Sequence, residues 1–168
     1  MIFLLYACSS DSQPEDGDYS YGLEHQVTTH QVDDACFDGA MTLLFMPNGE
    51  DSPQNFQYPV YIPTLEELPL TYEISLREPF VGMTLTATSG EDGAIVIGDG
   101  RMEEVALGFG ECKATMDVQG DIIPNATGFD VTATVTISDL RGDETGCPVP
   151  LTDPCQVVLY MESVPWEE

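Results

Sequence analysis

Phe129-Asp-Val-Thr-Ala-Thr-Val-Thr-Ile137 decides the fold class. Phe129, Val131, Ala133, Val135 and Ile137 fall on one side of an extended chain, and Asp130, Thr132, Thr134 and Thr136 on the other. A period of two residues belongs to a β-strand with one face buried. Threonine suits the wet face, because its branched Cβ favours extended backbone while its hydroxyl stays hydrated. The alternation recurs elsewhere. Met83, Leu85 and Ala87 interleave with Thr84, Thr86 and Thr88, and Ala114, Met116 and Val118 with Thr115, Asp117 and Gln119. Leu70, Tyr72, Ile74 and Leu76 interleave with Thr71, Glu73 and Ser75. Further strands are expected over 24–32, 40–46, 57–62, 94–98, 103–109 and 156–163. The last is apolar on both faces and reads as a central strand.

Turn residues separate these segments: Asn48-Gly49, Gly90-Glu-Asp-Gly93, Gly98-Asp-Gly100 and Gly142-Asp143. Residues 95–105 read as a hairpin around Gly98-Asp99-Gly100. Helix is nearly absent. Thr64-Leu-Glu-Glu67 resembles a capping box, but Pro63 and Pro69 limit it to about one turn. Short strands at roughly 8–12-residue spacing predict an all-β, antiparallel β-sandwich of about eight or nine strands, with a closed β-barrel as the alternative. The 168 residues suit one such domain, expected over 24–168.

The charge is lopsided: 30 acidic residues against four basic ones, Arg77, Arg101, Lys113 and Arg141, for a net charge of -26. That composition argues against nucleic acid and against attachment to anionic lipid heads, since both need a basic footprint. The acidity serves either solubility, with adaptation to salt, or carboxylate-rich loops that hold divalent cations or a cationic partner. Asp33, Asp34 and Asp38 form the candidate metal cluster, with calcium as its ion and no other cofactor expected. An EF-hand is excluded, because Cys36 and Phe45 stand where that loop needs carboxylates. Glu91-Asp92, Asp99 and Glu103-Glu104 make a second acidic group.

Residues 1–7 are wholly apolar and Cys8 follows them. Leu5-Tyr6-Ala7-Cys8 resembles the lipobox of bacterial lipoproteins. The resemblance implies a remnant of a signal peptide over 1–7 and diacylation of Cys8, which would become the first residue of the mature protein. Seven residues without a basic one are short for a signal, so the start codon is expected upstream. Residues 8–23, rich in Ser, Gly, Pro and acids, read as a flexible tether. Ser9 after Cys8 points to the outer membrane, on its periplasmic or surface face.

With Cys8 lipidated, Cys36, Cys112, Cys147 and Cys155 remain, an even count that suggests two disulfides in an exported chain. Three connectivities are open. Cys147–Cys155 with Cys36–Cys112 is favoured, because the first closes a short Pro-rich loop before a strong strand. The spacings do not fit zinc.

Other constellations are weaker. His25 and His30 lie five residues apart, so a regular strand points them to opposite faces, and both are expected to be exposed. A bulge would be needed for them to share a metal. Phe56, Tyr58, Tyr61 and Phe80 could form an aromatic ligand or carbohydrate platform, or plug the edges of the core. Arg141-Gly142-Asp143 is ordinary turn chemistry. No Gly-x-Ser-x-Gly elbow, His-Glu-x-x-His or phosphate loop is present, so no enzyme is expected. The expected function is a lipid-anchored, monomeric envelope lipoprotein with a non-catalytic binding domain for a protein, glycan or small ligand. A structural lipoprotein without a ligand, or a small hydrolase, is the alternative.

Overall fold

The computed structural model describes residues 20–46, 49, 57–74, 83–107, 112–142 and 152–166. It is nearly all β. The strands are β1 (Leu23–Asp34), β2 (Gln57–Ile62), β3 (Leu70–Ile74), β4 (Met83–Ser89), β5 (Ile95–Ala106), β6 (Lys113–Pro124), β7 (Phe129–Arg141) and β8 (Cys155–Pro165). A short helix, α1 (Ala40–Phe45), and two single-turn 3-10 helices, Leu65–Glu67 and Glu91–Gly93, complete the elements among the described residues.

All eight strands belong to one antiparallel sheet in the order β2-β1-β8-β7-β6-β5-β4-β3. The expected two facing sheets are replaced by one strongly curled sheet, a half-barrel. Its connectivity requires the curl. The edge strands β2 and β3 are consecutive in the chain, and only residues 63–69 separate them. Eight strands laid flat would put the edges about 34 Å apart at about 4.8 Å per strand. Eight residue steps from Ile62 to Leu70 span at most about 28 Å, and the 3-10 turn shortens that.

Bulges supply the bend. The β1–β8 register shifts between Thr29 and Gln31, β5–β6 between Ile97 and Gly100 and again between Met102 and Val105, and β6–β7 between Lys113 and Thr115. Asp99, Glu104 and Asp139 sit at three of these places with φ of 53°, 60° and 52°. An extra residue in one strand raises the local twist and folds the sheet toward one face. The segment expected to be a hairpin is therefore one strand. Asp99 takes a left-handed conformation between its two glycines, the chain bulges without reversing, and both flanks pair with β6.

The alternation read from the sequence builds the concave core. Val131, Ala133, Val135 and Ile137 of β7 face Met161, Leu159, Val157 and Cys155 of β8, and all are buried. β8 is central as expected, flanked by β1 and β7.

The segment 40–46, expected as a strand, is instead helical over Ala40–Phe45. Asp34, the last residue of β1, collects the backbone N–H groups of Cys36, Phe37 and Met41 at 2.8, 2.9 and 3.0 Å. Gly39 follows at φ 88°. Together they turn the chain off the sheet, and α1 packs on β1 with Met41 and Phe45 buried. A short, mostly apolar run of this kind has no period by which to tell helix from strand.

The disulfide is Cys36–Cys155, which corrects the expected Cys36–Cys112 and Cys147–Cys155 pairs. Strand order explains the difference. Asp34 lies opposite Val157 and the Ala35 N–H donates to the Gln156 carbonyl at 3.1 Å, so the next rung brings Cys36 to Cys155. Their Cα atoms are 5.2 Å apart. The bond ties the first strand to the last. Cys112 is disulfide-bonded as well; Cys8 and Cys147 lie outside the described residues.

Candidate functional site

The sheet end where the chain enters the domain carries most of the unusual side chains. Tyr21 stacks edge-on against Phe129 with centroids 5.0 Å apart, and its hydroxyl donates to the Gly93 carbonyl. His25 meets the same ring at 5.2 Å. His25 is fully buried, against the expectation of an exposed histidine, because it shares the concave face of β1 with Val27 and Thr29. Regular alternation turns His30 to the opposite face, where it is exposed, and the bulge at Thr29/Gln31 breaks the pattern only from there on. The two rings do not meet at a common site.

His25 Nε2 lies 2.9 Å from the Ser20 carbonyl, which can only accept, so Nε2 carries a proton. Nδ1 is then free to accept from the Ser163 hydroxyl at 3.4 Å. A serine–histidine pair can serve nucleophilic catalysis when a substrate reaches the hydroxyl. Both side chains here have no exposed surface, and the pair instead satisfies polar groups inside the core.

The outer face of the same end is apolar. Glu24 on β1 lies opposite Tyr61 of β2, and its carbonyl accepts the Trp166 N–H at 2.8 Å on the other side. Tyr61 and Trp166 therefore flank Glu24 on the convex face, about 9.5 Å apart by strand spacing. The next outward rung is Pro59–Gln26–Val164. Leu23 and Leu65 lie at the adjoining rim. Tyr61, Trp166, Val164, Leu23 and Leu65 are 41%, 50%, 41%, 50% and 38% exposed. Five of the eight large hydrophobic side chains exposed among the described residues thus share one end of three strands. Single exposed apolar residues are ordinary, whereas a contiguous group marks an interaction surface.

Beside this patch the two sheet edges approach. The Tyr61 hydroxyl donates to Glu67 Oε2 at 3.1 Å, and Glu67 accepts the Thr64 N–H at 2.9 Å. That backbone N–H, followed by the Tyr61 hydroxyl, holds the Glu67 carboxyl below its ordinary value of 4.5. Partial burial and the neighbouring carboxylate push Tyr61 above its ordinary 10.0. Tyr72, on β3 across the seam, is pushed up by burial and by the charges of Tyr61 and Glu67. Its hydroxyl is buried without a hydrogen-bond partner among the described residues.

The remaining sequence candidates disperse. Asp34 directs both carboxylate oxygens at backbone N–H groups, Asp33 accepts from Gln31 Nε2 at 3.0 Å, and Asp38 is an exposed left-handed turn residue. Among the described residues no three His, Cys, Asp or Glu side chains converge as a metal site. Glu103 and Glu104 pair instead with bases: Arg101–Glu103 at 3.5 Å, Lys113–Glu104 at 3.2 Å and Arg141–Glu104 at 3.5 Å, all exposed. Phe56 and Phe80, the Tyr58 side chain, and the cysteines Cys8 and Cys147 lie outside what is described. Of the expected aromatic platform, Tyr61 stands in the patch. Trp166, Val164 and Leu23 went unnoticed in the sequence. Their signal was the lone tryptophan just past the last strand, legible only once β1 is known to sit between β2 and β8. Compared with known proteins, the chain matches no family model, no curated protein and no solved structure.

Proposed function

We propose that the chain is a lipid-anchored lipoprotein of the cell envelope, held by acylated Cys8, whose folded domain binds a partner and carries out no catalysis. The observation that carries this reading is that every described cysteine, Cys36, Cys112 and Cys155, is oxidised. Disulfides persist outside the reducing cytosol, which agrees with the lipobox-like Leu5-Tyr6-Ala7-Cys8 and with the Ser- and acid-rich stretch after it. Cys147 is the partner we assign to Cys112. Ser9 favours the outer membrane. The inaccessible Ser163–His25 pair supports binding over hydrolysis, with an envelope protein or glycan as the partner class and a monomer as the working unit.

Expression of the complete gene in a bacterium grown with labelled palmitate tests the anchor. The label should follow the protein into the membrane fraction, and Cys8→Ser should release it unlabelled. Unlabelled wild-type protein in the cytosol would overturn the proposal.

A further inference from the structure

We propose that the apolar group of Tyr61, Trp166 and Val164 on the convex face, with Leu65 and Leu23 at the adjoining strand-end rim, seats the domain against a zwitterionic lipid surface and so fixes its orientation. This rests on the anchored reading above and deepens it.

Geometry selects the occupant. The described chain begins at Ser20, whose carbonyl is bound to His25, and Gly22 donates its N–H to the Ile62 carbonyl at 2.7 Å. The tether therefore leaves from the rim that bears the patch. Residues 8–19 lie between the anchoring cysteine and that rim. Twelve residues reach at most about 40 Å, whatever path they take. The patch is consequently held within reach of the bilayer at an effective concentration of order millimolar, where weak apolar contact suffices. Its chemistry suits the headgroup boundary: tryptophan and tyrosine present an apolar body with a polar tip, and aliphatic side chains lie beside them.

Charge sets the lipid class. Glu24 lies between Tyr61 and Trp166, Glu66 and Glu67 are exposed beside Leu65, and the chain carries -26. Anionic lipid repels such a surface, and a zwitterionic one does not. The acyl chains provide attachment, and the patch decides which end faces the lipid. The opposite end, with α1 and the Cys36–Cys155 bond, then points away from the bilayer.

The only tryptophan in the chain is Trp166, so its fluorescence reports the patch alone. The acylated full-length protein is reconstituted into phosphatidylcholine vesicles and compared with Cys8→Ser protein in buffer. The expected result is a blue shift of several nanometres and quenching by phosphatidylcholine brominated near its headgroup. Replacing part of the lipid with phosphatidylglycerol should weaken both. Val164→Asp and Leu23→Asp change exposed positions; the acylated variants should still co-float with vesicles yet lose the shift. In the unacylated background each should lower partitioning into phosphatidylcholine about tenfold.

Acylated protein that co-floats while Trp166 keeps its emission in buffer overturns the seating and leaves the anchor standing. If Cys8 proves unacylated, quenching of added Cys8→Ser protein still supports the patch, and none overturns it as well. A shift produced by soluble peptidoglycan fragments, or by raising protein concentration without lipid, assigns the surface to a glycan or a second copy and overturns the proposal.

Discussion

Replacing Gly100 with alanine tests the bulged course of β5. A Cβ at Gly100 would run into Leu85 Cδ2 and lie 3.3 Å from the Val118 carbonyl oxygen. The backbone at Gly100 is not left-handed, so alanine is acceptable in conformation and the cost is steric. Overpacking of this kind costs about 1–3 kcal/mol. Gly98, two residues away, has nothing within 4 Å of its would-be Cβ, and Gly98→Ala should stay within about 0.5 kcal/mol of the wild type. Leu85 is buried, and Leu85→Ala alone should cost about 2–5 kcal/mol. In the double variant the clash disappears, so the costs should fall short of additivity by about 0.5–3 kcal/mol. Guanidinium unfolding with a common slope for the wild type and all four variants reads these differences. If Gly98-Asp99-Gly100 were the tip of a hairpin, both glycines would tolerate alanine alike. Equal midpoints for Gly98→Ala and Gly100→Ala, or strict additivity with Leu85→Ala, would refute the continuous strand.

Other expectations can be checked on the same protein. Joint replacement of Cys36 and Cys155 by serine opens a loop with a sequence separation of 119, which chain entropy values at about 5 kcal/mol, and the denaturation midpoint should fall accordingly. Tyr72→Phe removes a buried hydroxyl that has no partner among the described residues and should stabilise the fold by about 1 kcal/mol, read by thermal unfolding. Because burial raises Tyr72 above its ordinary 10.0, the wild type should lose stability as pH climbs past 10, and Tyr72→Phe should lose less. Glu67 is the opposite case. Its folded value is depressed, so its stabilisation is present above the ordinary 4.5 and is lost as pH falls through the lower folded value. A carboxyl NMR titration should show Glu67 releasing its proton at lower pH than a glutamate of ordinary value, with the Thr64 amide shifting in step.

The strands were legible because alternation is a local signal. Phe129–Ile137, Met83–Thr88 and Ala114–Val118 bury the residues that their spacing assigns to the core. Pairing is not local, and it governs what was missed. Cys36 and Cys155 meet because β1 lies beside β8, which no pattern within either segment states. Gly98-Asp99-Gly100 carries the composition of a turn, but whether it reverses or bulges depends on which strand receives its flanks. Ala40–Phe45 became helix through three hydrogen bonds to Asp34, a tertiary choice that the apolar run leaves open. The aromatic patch was half visible: Tyr61 stood in a recognisable cluster, while Trp166 joined it only across β1.

Above all stands the claim that this polypeptide matures outside the cytosol on a lipid anchor. Intact-mass and peptide mapping of protein recovered from bacterial membranes tests it most directly. The expected result is a mature chain starting at an acylated Cys8, a Cys36–Cys155 cross-linked peptide and no free thiol at Cys112. An unacylated chain carrying reduced Cys36, Cys112 and Cys155 would contradict it.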